Sequence, residues 1–291
     1  MGELLFVGAG LWDEQDLSRR AVAELKRCRT VFLEEYTAVL AEGSRERLAA
    51  EIGQPLVRLE REEVENPQTI LAALADPRRA PVALIVPGDP FAATTHVALR
   101  LSVEGAGHSW TYLANASVLT AAAGFLGLMA YRFGRTVSLP FREPGFSPVS
   151  PFDRIRENRS RDLHTLVLLD LRPSERRFLL APEALSWLEE QDRERRFLSE
   201  KESVAVVARL GSPTARAWVG RASDLESVDF GPPMHVVVVL ATELHFEEAA
   251  AVARYRWPPV AEGRAPVRPA EGASELPGST ASKNSRSSKG R

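Results

Sequence analysis

The fold of this chain can be inferred outward from one stretch, VALIVPGDPFAATTH at residues 82–96. It begins with five apolar residues and then breaks off in a turn that contains two prolines and a glycine. A short apolar run bounded by turn residues is typical of a buried strand. In open α/β sheets, ligands bind beyond the carboxyl end of such a strand. The stretch therefore predicts an α/β protein with a candidate ligand-binding turn at residues 87–90.

Asp89 places a carboxylate at the tip of this turn. It could contact a ligand, or it could only stabilise the turn while Thr94 or Thr95 caps the helix predicted over residues 97–104. The residues alone leave both roles open.

A second turn, Gly8-Ala9-Gly10, follows the first predicted strand. It stands where a dinucleotide-binding loop would lie, but Asp13 replaces the third glycine of that motif. We therefore interpret it as a place where the backbone approaches a ligand closely, and not as a Rossmann fingerprint.

Strands and helices alternate along the rest of the chain, which predicts an α/β protein with mainly parallel strand pairing. The alternation falls into two blocks, so we expect two α/β domains, at residues 1–114 and 115–257. Further strands are predicted at residues 30–33, 56–59, 110–113, 136–139, 165–171, 204–208 and 235–240, and the main helices at 44–52, 68–75, 117–131, 151–161, 182–197 and 244–255.

Composition excludes several classes of protein. The chain has 291 residues, a formal net charge of −2 and one cysteine. A single cysteine rules out an internal disulfide or a cysteine-cluster zinc site. The near-neutral charge argues against a specific nucleic-acid partner. No targeting segment or membrane span is evident, so we expect a cytoplasmic protein with no membrane partner. Residues 258–291 are rich in proline and serine, which predicts a disordered tail.

Histidine and cysteine provide few candidates for chemistry. No two histidines are spaced as i and i+4, so we expect no metal site. Structural roles are favoured for His164 and His235. Cations around Cys28 could lower the pKa of its thiol, although a half-buried helix position is the favoured interpretation.

Several motifs occur together in the order found in one known family. They include FVGAGLWDE at 6–14, EYT at 35–37, PGDP at 87–90, NASV at 115–118 and ARLGS at 208–212. With three further stretches they extend over about residues 3–250. The chain resembles the diphthine synthases, S-adenosylmethionine-dependent methyltransferases of diphthamide biosynthesis in the tetrapyrrole methylase-like superfamily.

The resemblance implies two α/β domains with a cofactor cleft between them, the fold of class III methyltransferases, in a homodimer. It implies methylation of the amino group of a 3-amino-3-carboxypropyl-histidine on translation elongation factor 2, which gives diphthine. Backbone groups are expected to make many of the cofactor contacts. Carried over position by position, the contacts with S-adenosylmethionine fall on Leu11, Asp89, Ala92, Ser117, Val118, Leu169, Leu210 and His235.

The resemblance leaves the catalytic residues unknown. The sulfonium leaves as a neutral thioether, so no acid is required, and only Asp89 and His96 are candidate bases. The chain departs from the family near its end, where Glu243 replaces a cation. Two alternatives therefore stay open: a related methyltransferase with a different acceptor, or a non-catalytic protein that binds S-adenosylmethionine.

Overall fold

The computed structural model describes residues 2–92, 95–198 and 203–259. These residues form two five-stranded sheets and a two-stranded hairpin. Helices pack on both faces of each sheet. The predicted α/β class is therefore confirmed.

The first half of the chain forms a wholly parallel sheet. Its strands are β1 (Glu3–Gly8), β2 (Thr30–Glu34), β3 (Leu56–Leu59), β4 (Val82–Val86) and β5 (Ser109–Leu113), in the order β3-β2-β4-β1-β5. Its helices are α1 (Arg19–Leu25), α2 (Ser44–Ile52), α3 (Arg61–Glu65), α4 (Gln68–Ala75) and α5 (His96–Gly105). Because all strands run the same way, the turns after β1, β2 and β4 meet at one edge.

Apolar residues on both faces of β4 explain why this strand lies inside the sheet. Leu84 enters the core that contains helices α4 and α5, whereas Ala83 and Ile85 enter the opposite core with α1 and α2. A strand that is covered on both faces has a continuous apolar sequence. The run at residues 82–86 has this pattern, and all five residues are buried.

The second half of the chain forms a mixed sheet. Its strands are β6 (Val137–Leu139), β7 (Thr165–Leu169), β10 (Val204–Ala208), β11 (Arg216–Gly220) and β12 (His235–Val239), in the order β11-β10-β12-β7-β6. A hairpin of β8 (Leu171–Arg172) and β9 (Arg177–Phe178) follows β7. The helices are α6 (Val118–Leu126), α7 (Ser150–Ser160), α8 (Ala181–Arg195), α9 (Ala222–Leu225) and α10 (Phe246–Val252).

The predicted parallel pairing is wrong for this second sheet. Only β6 and β7 pair in parallel, whereas β12 runs antiparallel to both of its neighbours and β11 runs antiparallel to β10. Residues 209–215 join β10 to β11 without a helix. Adjacent parallel strands need a longer crossover, so this short connection produces an antiparallel pair. Strand β11 was not among the predicted elements.

Helix boundaries follow local capping. The Ser117 hydroxyl caps α6 by accepting a hydrogen bond of 3.2 Å from the Leu119 amide. That helix ends at Gly127, in the left-handed region at φ 73°, and so is shorter than the predicted span to residue 131. Thr95 precedes α5 without a side-chain cap, and Thr94 lies outside the described residues.

Each sheet has its own hydrophobic cores, and residues 114–117 connect β5 to α6. We propose on this basis that the domains are residues 1–114 and 115–257. The tail prediction falls almost wholly on residues 260–291, outside the described part of the chain. Within the described part, no helix is long and apolar enough to cross a membrane.

Candidate functional site

A cavity of about 1130 Å³, including the space where it opens to solvent, lies between the two sheets. The turns after β1, β2 and β4 form one wall, and the ends of β7, β10 and β12 form the other. All eight residues that the resemblance singled out line this cavity: Leu11, Asp89, Ala92, Ser117, Val118, Leu169, Leu210 and His235.

The two glycine turns pair with each other at the cavity. Gly88 donates its amide to the carbonyl of Gly10 at 2.6 Å, and Gly10 donates back to Gly88 at 3.2 Å. Both have positive φ, 78° and 84°. A side chain at Gly8 would place Cβ 2.8 Å from the carbonyl oxygen of Gly88 and 2.6 Å from Cβ of Asn115. The close backbone contact expected at these glycines is therefore made between the turn after β1 and the turn after β4.

The Asp89 carboxylate stabilises the turn and also lines the cavity. Its Oδ1 accepts from the Phe91 amide at 3.0 Å, and its Oδ2 accepts from the Tyr112 hydroxyl at 2.5 Å and the Asn115 amide at 3.1 Å. Burial and the neighbouring carboxylate raise the pKa of Tyr112 to about 12. Since a carboxylate offers about four acceptor positions, one remains for a ligand donor.

The start of α6 is fixed to the first sheet. The Asn115 side chain donates to the carbonyl of Gly8 at 2.9 Å and to that of Asp16 at 3.0 Å. These bonds place Ser117 and Val118, at the electropositive end of a nine-residue helix, on the cavity wall. The Ser117 hydroxyl accepts the capping bond from Leu119, so its own O–H is left to donate to a ligand.

Leu11 contributes an apolar surface, but its amide is already used. The amides of Leu11 and Trp12 both donate to Oδ2 of Asp16, at 2.9 and 2.8 Å. A side chain at Gly211 would meet Cβ of Leu11 at 2.6 Å, so this glycine lets the two halves of the chain touch. Of the backbone groups of Leu11, only the carbonyl could therefore contact a ligand.

The imidazole of His235 is a neutral structural group. Its Nδ1 accepts from the Ala181 amide at 3.2 Å, and Nε2 lies 3.2 Å from the carbonyl of Gly231 and 3.1 Å from that of Pro232. The proton is therefore on Nε2. Burial, with Arg209 nearby, lowers the pKa of His235 to about 4. Because both ring nitrogens are engaged, a ligand contact here must use the ring edge or the backbone.

His96 does not line the cavity, and so the structure does not support it as a base. The ring is fully buried, and Nδ1 lies 2.9 Å from the carbonyl of Pro90. Nε2 lies 3.4 Å from the Tyr36 hydroxyl and 3.7 Å from the Glu34 carboxylate. His96 therefore connects the turn after β4 to the loop after β2.

Sequence reasoning missed Thr37 and Arg209, which also line the cavity. Thr37 is fixed by the buried Glu34 carboxylate, which accepts from its amide at 2.6 Å and its hydroxyl at 2.8 Å. The Arg209 guanidinium donates to the carbonyls of Phe230 and Pro232, at 2.7 and 2.9 Å, and makes no ion pair with a described carboxylate. Thr37 belongs to the EYT motif at residues 35–37 and Arg209 to the ARLGS motif at 208–212. Membership of these motifs is the only sequence feature that could have identified the two residues.

The remaining candidates are structural. Cys28 is buried, and burial raises the pKa of its thiol to about 11, so the neighbouring cations do not activate it. His164 contacts Glu248 and accepts from the Ala241 amide, which confirms its structural role. Glu243 does not line the cavity, so that departure lies outside it. Among the described residues no cluster of metal-binding side chains is present.

Comparisons with known proteins show which family this chain belongs to. The family described as Tetrapyrrole (Corrin/Porphyrin) Methylases matches residues 3–226. The chain is 35% identical over 251 residues to the diphthine synthase of Methanosphaera stadtmanae, covering 86% of this chain and 94% of that protein. It is 37% identical over 259 residues to the diphthine methyl ester synthase of Aspergillus fumigatus, covering 83% and 90%. A crystal structure of a diphthine synthase has a TM-score of 0.76 at 33% identity, covering 87% of this chain and 96% of that chain.

Proposed function

This chain belongs to the diphthine synthases, within the tetrapyrrole methylase family, and we propose that it transfers methyl groups from S-adenosylmethionine to a modified histidine of translation elongation factor 2. The acceptor is the amino group of the 3-amino-3-carboxypropyl substituent. One observation carries the proposal: all eight residues matched to the family's cofactor contacts line a single cavity between the two sheets.

The chemistry of the cavity wall suits S-adenosylmethionine. Apolar side chains such as Leu169 and Leu210 suit the adenine ring, and Asp89 has an acceptor position left for a ribose hydroxyl. Arg209 provides a cation with no carboxylate partner among the described residues. Its Nε and one N–H of Nη2 donate to Thr214 and its Nη1 donates to Phe230 and Pro232, so one N–H of Nη2 is left for the methionine carboxylate.

Bound S-adenosylmethionine would supply a methyl group attached to a sulfonium. When the carbon–sulfur bond breaks, the sulfur is left as a neutral thioether. The nitrogen lone pair of the acceptor forms the new bond, so the amine must be unprotonated. Both ring nitrogens of His235 are engaged in hydrogen bonds, and the acceptor position left on Asp89 is the one proposed for the ribose hydroxyl, so we assign no general base to either residue. The residues of the cavity act by orienting the reactants and excluding water, and orientation alone is worth up to about 7–11 kcal/mol in favourable systems.

A labelling experiment tests this function. The protein is incubated with methyl-labelled S-adenosylmethionine and elongation factor 2 that carries the 3-amino-3-carboxypropyl group. We expect label on the factor, and no label on a factor with an unmodified histidine. Transfer to a small molecule instead would support a different acceptor. Failure to bind the cofactor in calorimetry would exclude both enzymatic functions.

Two properties implied by the resemblance remain proposals. We expect a homodimer, which sedimentation at micromolar concentration would test. We also expect a cytoplasmic location, which imaging of the full chain in its own cells would test.

A further inference from the structure

Three side chains form an apolar part of the cavity wall that the proposed cofactor contacts do not use. Trp12, Phe178 and Met234 all line the cavity, and none is among the eight residues matched to S-adenosylmethionine. They pack together with Val39 and Ala41 in one hydrophobic cluster. We call the surface of Trp12, Phe178 and Met234 the aromatic wall. It is a continuous surface that is left for the acceptor.

Backbone hydrogen bonds hold Trp12 in place. Its amide donates to Oδ2 of Asp16 at 2.8 Å, and its carbonyl accepts from the Ala41 amide at 2.7 Å. The second bond joins the loop after β1 to the loop after β2. Trp12 is 6% exposed. Because both backbone groups are bound and the side chain is buried, we expect the indole ring to keep one position at the cavity.

The hairpin of β8 and β9 holds Phe178. This residue pairs with Leu171 across the hairpin, and both line the cavity. The next residue, Leu179, donates its amide to the carbonyl of Asp170 at 2.9 Å. Phe178 itself is half-buried, so its ring has surface left for a ligand.

The aromatic wall has the chemistry that the nitrogen of the acceptor requires. Burial against apolar groups lowers the pKa of an amine, which favours the neutral form that accepts a methyl group. In the transfer the nitrogen lone pair forms the new bond to carbon, the electron pair of the carbon–sulfur bond stays on sulfur, and the positive charge moves to nitrogen. Aromatic rings attract such a cation, most strongly where water is excluded. An ammonium that still has a hydrogen then loses a proton to water before the next transfer.

We propose that Trp12 and Phe178 bind the amino group of the acceptor and stabilise the ammonium that forms there as methyl groups accumulate. This inference rests on the proposed function, since it assumes that acceptor. Each added methyl group replaces a hydrogen that could have been donated to water. The rings therefore contribute most to the last transfer to the amino group, whose product keeps its charge.

The charged side chains that line the cavity are Asp89, Asp170 and Arg209. Asp89 and Arg209 are the groups proposed for the ribose hydroxyl and the methionine carboxylate. The Asp170 carboxylate accepts from the Leu171 amide through Oδ1 at 3.0 Å. Among the described residues of the cavity, Asp170 is therefore the charged group that competes with the rings for the ammonium. A carboxylate beside the amine would favour its protonated form, so the rings suit repeated transfer better.

Methylation kinetics with the full chain test the aromatic wall. Phe178→Leu keeps an apolar side chain but removes the ring. We expect the last transfer to the amino group to slow about fivefold or more, so that partly methylated factor accumulates. Phe178→Trp keeps a ring and should retain most of the rate. Mass spectrometry of timed samples counts the methyl groups. Cofactor affinity measured by calorimetry should stay within about twofold, which also shows that each variant is folded.

Phe146→Leu is the matched control. Phe146 is 54% exposed and does not line the cavity, so its variant should have the rates of the unsubstituted protein. Equal rates in Phe178→Leu and Phe178→Trp, or a slower last transfer in Asp170→Asn alone, would overturn the role of the rings while leaving the proposed function intact. A protein that binds S-adenosylmethionine but never methylates the modified factor would instead overturn the proposed function, and the role of the rings with it.

Discussion

The hydroxyl of Tyr112, on β5, donates a hydrogen bond of 2.5 Å to Oδ2 of Asp89, in the turn after β4. Strand β1 lies between these two strands, so the bond reaches across the carboxyl edge of the sheet. The same oxygen accepts from the amide of Asn115, which leads into α6. One carboxylate therefore connects the turn, the sheet edge and the start of the second half of the chain.

We expect Asp89→Ala to weaken S-adenosylmethionine binding about tenfold or more, because three donors lose their acceptor and the turn loosens. Tyr112 does not line the cavity, so Tyr112→Phe should cost about 1 kcal/mol of stability and affect binding less. Calorimetry and denaturant unfolding measure the two effects. Unchanged affinity in the Asp89 variant would refute the placement of this residue in the site.

Gly8→Ala should destabilise the protein by at least about 2 kcal/mol, since the new Cβ would overlap Asn115 and the Gly88 carbonyl. Gly124, within α6, has no atom within 4 Å of an added Cβ. Gly124→Ala should therefore stabilise the protein by up to about 1 kcal/mol, because alanine has a higher helix propensity than glycine. Urea unfolding of both variants gives the comparison, and equal effects would contradict the close approach at Gly8.

The buried Glu34 carboxylate should prove necessary for the shape of the loop after β2. Its Oε1 accepts from the amides of Tyr36 and Thr37, at 2.7 and 2.6 Å. Glu34→Ala leaves both of these half-buried amides without an acceptor, so we expect the free energy of unfolding to fall by about 1–3 kcal/mol. Glu34→Gln keeps one carbonyl oxygen and should cost less than half as much. Thermal unfolding of the two variants would show equal losses if these bonds did not matter.

Stability should depend on the titration of His235. Its pKa is lowered from 6.5 to about 4, so between these values the unfolded chain binds more protons than the folded chain. The contribution of the neutral imidazole to the free energy of unfolding is fully present above pH 6.5. It is lost as the pH falls towards 4, by up to about 3 kcal/mol. Denaturant unfolding from pH 7 to 4 should be less pH-dependent in His235→Gln. Parallel curves for the two proteins would contradict a neutral buried imidazole.

Local patterns predicted the first sheet well. Residues 82–86 are apolar because both faces of β4 are covered, and a parallel strand of this kind can be recognised from composition. Strand β11, at Arg216–Gly220, escaped prediction because its exposed and half-buried positions weaken the apolar signal. The antiparallel order of the second sheet depends on pairing between strands that are distant in the sequence, and local sequence patterns do not predict such pairing.

The candidate site was predictable in its members more than in their roles. The eight residues come together at one cavity, but the sequence could not show which of their polar groups are already used. The Leu11 amide is bound by Asp16 and the His235 nitrogens by backbone groups of three other residues. Such pairings depend on contacts between distant parts of the chain.

Mass spectrometry of elongation factor 2 tests the central claim most directly. The factor, carrying the 3-amino-3-carboxypropyl group, is incubated with the protein and S-adenosylmethionine, and the peptide that contains the modified histidine is fragmented. We predict successive mass increases of one methyl group each, located on the amino group of that substituent. A modified factor whose mass stays unchanged, in the presence of protein that demonstrably binds S-adenosylmethionine, would contradict the assigned function.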